Sequence, residues 1–327
     1  MTATLSFSQK RRLKMITKTR WKNLDALSLE NDALRVIVLP ALGGKLASVF
    51  HKKKNFELAA QNQEAFYHLP HVGDDFSRYD ASGLDDAFPS IDPCEPETLA
   101  AILPPEQVPH SAYPDHGEIW SSSMKNRTLP NRVILSFTSP RFPYFYQKTI
   151  SLSGEKLLLE YEIRNTGETP FPCLWAFHGL VRYEEDMEFF YSSDVQSFEN
   201  VLDSPELGPA GEHFFLGDSR YDFTRVPPKS SRTMVKYYVD QKVKNGFCGY
   251  RYPSQGLRCT FRYDPEKLPY LGLWITAGGF RGDYNCALEP ANGYYDSIPK
   301  AAESGSLCFL KKEEPFHFSL ELALTEE

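Results

Sequence analysis

The clearest alternation in the chain runs from Lys156 to Arg164. Leu157, Leu159, Tyr161 and Ile163 fall on one face, and Leu158, Glu160, Glu162 and Arg164 on the other. A period of two marks a half-buried strand, and Asn165-Thr166-Gly167 closes it. Leu34–Leu39 is a β-rich run stopped by Pro40, Gly43-Gly44 supplies a turn, and residues 45–50 start a second strand, so the pair predicts a hairpin. Arg132–Thr138, Leu257–Tyr263 and residues 174–181, 270–276, 284–288 and 316–324 carry further strand patterns. No long helical period with caps is visible. Single helical turns are expected only at residues 66–71 and 265–268, and no repeat of 20–50 residues is present. Residues 61–115 are rich in Pro, Asp and Gly and lack periodicity, yet keep Phe66, Tyr67, Phe76, Tyr79 and Phe88. They predict a long ordered loop region, the kind of segment that carries function. Many short strands separated by turns predict an all-β protein: one large antiparallel β-sandwich over residues 31–327 with few short helices. Residues 1–30 read as an N-terminal arm packed on that domain, anchored by Trp21. Pro227-Pro228 does not divide the domain, because the strands on both sides read as one sheet system.

Composition narrows the partners. With 43 acidic against 36 basic residues, the net charge of −7 repels nucleic acid, and no basic stripe with interleaved aromatics offsets it. The 18 Tyr and 23 Phe favour strands and offer flat faces for packing or for sugar stacking. None of the six cysteines forms a C-x-x-C pair, and no signal peptide or 18-residue apolar run is visible. Free thiols in a cytoplasmic protein, with no membrane partner, are the simplest expectation.

Three stretches carry candidate chemistry. His116-Gly117 sits where the loop region meets a strand. His178 shares a strand face with Leu174 and Ala176, opposite Trp175 and Phe177. Glu289 stands at the expected end of the 284–288 strand, with Pro290 forbidding continuation of the ladder and Asn292-Gly293 signalling a turn. Two histidines and one carboxylate, with no nucleophilic Ser or Cys motif and no phosphate-binding Gly-rich loop, make a general acid–base set. His68 and His71 read as surface histidines, and the acids of 74–86 as solvated or sugar-facing rather than as a calcium loop.

The order of these motifs resembles the galactose mutarotase-like superfamily (aldose 1-epimerases and relatives). So do residues 39–49 (Leu-Pro-Ala-Leu-Gly-Gly-Lys-Leu-Ala-Ser-Val) and 83–89 (Gly-Leu-Asp-Asp-Ala-Phe-Pro), and the likeness spans roughly residues 30–325. The resemblance implies the superfamily's large β-sandwich with its site in a concave cleft. It implies Glu289 as general base on the anomeric hydroxyl of an aldose, His178 as general acid on the ring oxygen, and His116 as a group that holds the sugar. No metal or organic cofactor is implied, since ring opening needs only two coordinated proton transfers. Asp85, Asp86, Trp120, Arg78 and Asp240 are the expected sugar contacts, and of Trp120, Trp175 and Trp274 only Trp120 is expected near the cleft. Ala81 and Trp120 stand where hexose-6-phosphate epimerases of the superfamily carry Arg, which points to a neutral sugar. The alternatives are a non-catalytic carbohydrate-binding protein of the same fold, or a glycoside hydrolase or lyase in the same cleft, with Glu289 paired to Asp85 or Asp86.

Overall fold

Strand alternation resolves into two large antiparallel sheets packed face to face, with a two-stranded sheet of Phe171–Cys173 and Cys308–Leu310 beside them, in a computed structural model that describes residues 15–327. One sheet has thirteen strands. Its path runs from Met15–Trp21 through Leu24–Glu30, Leu34–Leu39, Lys45–His51, Leu84–Ala87, Ala176–Gly179, Tyr284–Ala291, Tyr270–Ala277, Met234–Val239 and Ser197–Asn200 to His213–Phe215. The eight-stranded sheet runs from Glu188–Tyr191 to Lys125–Leu129 with Lys156–Asn165 among its inner strands. Leu157, Leu159, Tyr161 and Ile163 are buried as their alternation requires, in the core between the sheets. Trp175 meets Tyr161 and Phe318 there, and Phe177 meets Phe261. Among the described residues no helix is long and apolar enough to cross a membrane.

Four local expectations are corrected. Residues 15–30 are a hairpin of the large sheet rather than an arm: Leu24–Glu30 pairs with Leu34–Leu39, and Leu24, Ala26, Leu27 and Leu29 are buried. Residues 1–14 of the expected arm lie outside the described residues. Leu84–Ala87, inside the expected loop region, is a central strand. Its two aspartates disguise it, since Asp is depleted in strands, and buried cations on both faces of the sheet make it viable. Pro290 does not end its strand, which continues to Ala291 with Pro290 opposite Leu271. The Leu288 N–H points to the Tyr250 hydroxyl rather than to the Tyr270–Ala277 strand, and the nitrogen two residues on faces the same side. The proline therefore withholds no donor from that ladder. Finally, the two α-helices among the described residues are Pro96–Ala100 and Ile298–Glu303, whereas 66–71 is irregular after a bend at Phe66 and 265–267 is a turn.

Candidate active site

The outer face of the large sheet carries the site, and register assembles it. Leu84 and Asp86 point to the core, so Asp85 points outward. Asp85 lies opposite His178, and Glu289 lies opposite Gly272, which in turn lies opposite Tyr238. The ladder between the Ala176–Gly179 and Tyr284–Ala291 strands pairs Ala176 with Ala291, and Val181–Arg182 continues in the same register with Val181 opposite Cys286. His178 thus falls level with Glu289 across a gap in the ladder. One row therefore reads Asp85, His178, Glu289, Gly272, Tyr238. The next row holds Ala287, Trp274 and Lys236. Gly272 is required because an added Cβ would sit 2.8 Å from the Tyr238 ring.

A cavity of about 360 Å³ opens over these rows, lined by His116, His178, Lys236, Trp274, Glu289 and Asp296 among others. His178 is anchored from behind. Its Nδ1 lies 2.8 Å from Asp85 Oδ1, and Asp85 Oδ2 lies 3.0 Å from Lys45 Nζ. Burial opposes the Asp85 charge, but Lys45 and His178 outweigh it and hold this carboxyl well below the usual aspartate range. With Nδ1 engaged, Nε2 is the nitrogen left for chemistry. His116 arrives from the loop region. Its ring stacks on Phe76 at 4.0 Å, stands edge-on to His178 at 5.2 Å, and is held by Asp115 Oδ1 at 2.7 Å from Nδ1. Asp115 also accepts the Phe76 N–H, tying the two loops together. Gly117 makes this approach possible: its φ is +73°, and a Cβ there would come within 2.1 Å of the Phe88 carbonyl oxygen.

Glu289 is only 2% exposed. Its Oε2 lies 3.8 Å from Lys236 Nζ, while Oε1 has no hydrogen-bond partner among the described residues. Lys236 forms its direct ion pair with Asp296 Oδ2, and Asp296 Oδ1 accepts from the Tyr238 hydroxyl at 2.7 Å. Burial works against the ammonium, but Asp296 and Glu289 more than offset it, so Lys236 holds its proton more tightly than an ordinary lysine.

Of the expected residues, the structure brings His116, His178 and Glu289 to one cavity and places Asp85 behind His178. The others do not line it. Asp86 points into the core, where it meets Lys148 Nζ at 2.8 Å and accepts from the Tyr146 and Tyr161 hydroxyls at 3.0 and 2.9 Å. Trp120 is buried, donates to the Asp115 carbonyl and packs on Phe76 and Tyr79, so it supports the His116 loop. Arg78 is 80% exposed beside Asp75. Asp240, just beyond the Met234–Val239 strand, binds Ser197 and His213. Trp274, expected away from the cleft, is a cavity wall, with Nε1 bound to Asn285 and its ring in a T-shaped contact with Phe280. The carboxylate pair a hydrolase would draw from Glu289 with Asp85 or Asp86 is not assembled, because neither aspartate faces the cavity. Lys236 and Asp296 were missed. Lys236 had a signal: Val235, Tyr237 and Val239 alternate as core residues, leaving Lys236 on the outer face.

No family model and no curated protein matches the chain by sequence. Solved structures match it over nearly its whole length. A galactose mutarotase-like protein from Clostridium acetobutylicum is 15% identical with a TM-score of 0.69, over 97% of this chain and 100% of that one. A proposed aldose 1-epimerase from Escherichia coli K12 is 14% identical with a TM-score of 0.68, over 96% and 100%. A galactose mutarotase-like protein from Lactobacillus casei is 14% identical with a TM-score of 0.67, over 92% and 100%. The chain therefore has the galactose mutarotase-like fold.

Proposed function

We propose that the chain is an aldose 1-epimerase-like isomerase that interconverts the anomers of an uncharged sugar. One observation carries the reading: a buried glutamate lines the same cavity as a histidine whose far nitrogen is clamped by an aspartate. Glu289 takes the proton from the anomeric hydroxyl while His178 gives one to the ring oxygen. The ring opens, the C1–C2 bond rotates, and closure on the other face returns both protons. Asp85 stabilises the imidazolium form from which Nε2 donates, as a carboxylate behind a catalytic histidine does. His116, fixed by Asp115 and Phe76, bonds the sugar beside His178, and Trp274 offers a flat wall for its apolar face.

Charge supports an uncharged substrate. Asp92, Asp115, Asp296 and Glu289 line the cavity, and the ammonium of Lys236 is engaged by Asp296 and Glu289. A sugar phosphate or uronate finds no free bidentate cation there among the described residues. The test is anomer exchange by NMR across a panel of neutral aldoses, with the parent protein beside Glu289→Gln. Accelerated exchange that falls by about 10²-fold or more in the variant is expected for loss of a general base. Sugar binding with exchange at the uncatalysed rate in the parent sinks the proposal in favour of a binding protein.

A further inference from the structure

We infer that Lys236 is a positioning residue for Glu289, keeping the carboxylate charged without a close hydrogen bond from its ammonium to either oxygen. The inference rests on the acid–base reading of Glu289. A carboxylate at 2% exposure loses most of its hydration and is driven toward its neutral form unless a cation lies close. Lys236 is that cation. At 3.8 Å from Oε2 it supplies charge without a close hydrogen bond that would take up the carboxylate.

The surroundings explain why the lysine stays there. Asp296 holds the ammonium directly and is itself held by the Tyr238 hydroxyl, while the Asp296 carbonyl accepts the Asp92 N–H at 2.9 Å. Lys236 and Tyr238 stand on one strand, two residues apart on the same outer face, so a rigid ladder carries both ends of the arrangement. The charged and titratable groups in and beside the cavity with Glu289 are Lys236 and Tyr238 from that strand, Tyr295 and Asp296 from the segment after its own strand, His178 across the gap, and Asp92, Asp115 and His116 from the loops. Two carboxylates, Glu289 and Asp296, thus share one ammonium. Removing the lysine withdraws the attraction and leaves Asp296 as a like charge, so both changes favour protonation of Glu289.

The experiment is a ¹³C NMR titration of glutamate side-chain carboxyls in the full chain, the Glu289 signal being assigned by its absence from Glu289→Gln. In Lys236→Met the Glu289 midpoint is expected to rise by about one unit or more relative to the parent, and Lys236→Arg restores it. Asp296→Asn, which removes the competing carboxylate, shifts the midpoint the opposite way. In the anomer-exchange assay the acid limb of the pH–rate profile moves up by the same interval in Lys236→Met, with KM changed less than about threefold. An unmoved midpoint in Lys236→Met, or a shift that Lys236→Arg does not reverse, overturns the inference. The titration needs no sugar, so a parent protein that fails to exchange anomers refutes the proposed function while the lysine's effect on Glu289 is still read.

Discussion

Adjacent aspartates on one short strand are assigned opposite duties, and Asp86→Leu tests the assignment. Asp86 and Lys148 are each fully buried, 2.8 Å apart, and two tyrosine hydroxyls complete the shell of the carboxylate. Removing Asp86 alone leaves an ammonium in the core with no counter-charge, and breaking a buried pair from one side costs about 3–5 kcal/mol. At about 2 °C per kcal/mol for a chain of this size, the melting temperature falls by about 6–10 °C. Thermal unfolding followed by near-UV circular dichroism reads this directly. The double variant Asp86→Leu/Lys148→Met removes both charges and should recover most of the loss, because a well-packed apolar pair substitutes for a buried ion pair at little cost. Anomer exchange, measured well below the transition, should stay within about threefold of the parent, because Asp86 points away from the cavity. A single variant within about 1 kcal/mol of the parent, or a folded variant that no longer binds sugar, refutes the placement of Asp86 in the core.

Asp85→Asn should act on catalysis, lowering kcat by about 10²-fold through loss of the anchor on His178 Nδ1, with KM little changed. Because the Asp85 carboxyl is depressed in the folded chain, its stabilising contribution is complete above the ordinary aspartate value of about 3.9 and is lost as pH falls below it. Melting temperatures taken from pH 7 downward should therefore fall more steeply in the parent than in Asp85→Asn. Trp274→Ala should raise KM about tenfold, about 1.4 kcal/mol, through the lost stacking wall, with a melting temperature near that of the parent. Trp120→Ala should lower the melting temperature instead, because Trp120 supports the His116 loop from within the fold.

Three residues that line the candidate site were legible as residue types in order: His116 beside Gly117, His178 on an alternating strand, Glu289 before a proline. The misassigned contacts share one cause. Asp85 and Asp86 look equivalent along the chain, and Trp120 and Trp274 are both tryptophans near strands or loops. Only the packing partners separate them: Lys45 and His178 on one side of the sheet, Lys148 and two tyrosines on the other. The strand that holds both aspartates was itself hidden, since its acids contradict strand propensity and are made tolerable by cations more than thirty residues away.

By itself, the sequence determined which residues share a face, because a period of two is a local property of extended backbone. The alternation in 156–164 needed no tertiary information, and the same signal, overlooked in 234–239, would have put Lys236 on the outer face. It could not say which strands become neighbours, nor in what register, because those follow from long-range packing of the two apolar faces. The tertiary structure decided that His178 falls level with Glu289, that Lys236 stands beside both Glu289 and Asp296, and that Trp274 rather than Trp120 walls the cavity. In an antiparallel sheet a shift of one residue turns every side chain of a strand to the opposite face, so the site exists only once the core has fixed the register.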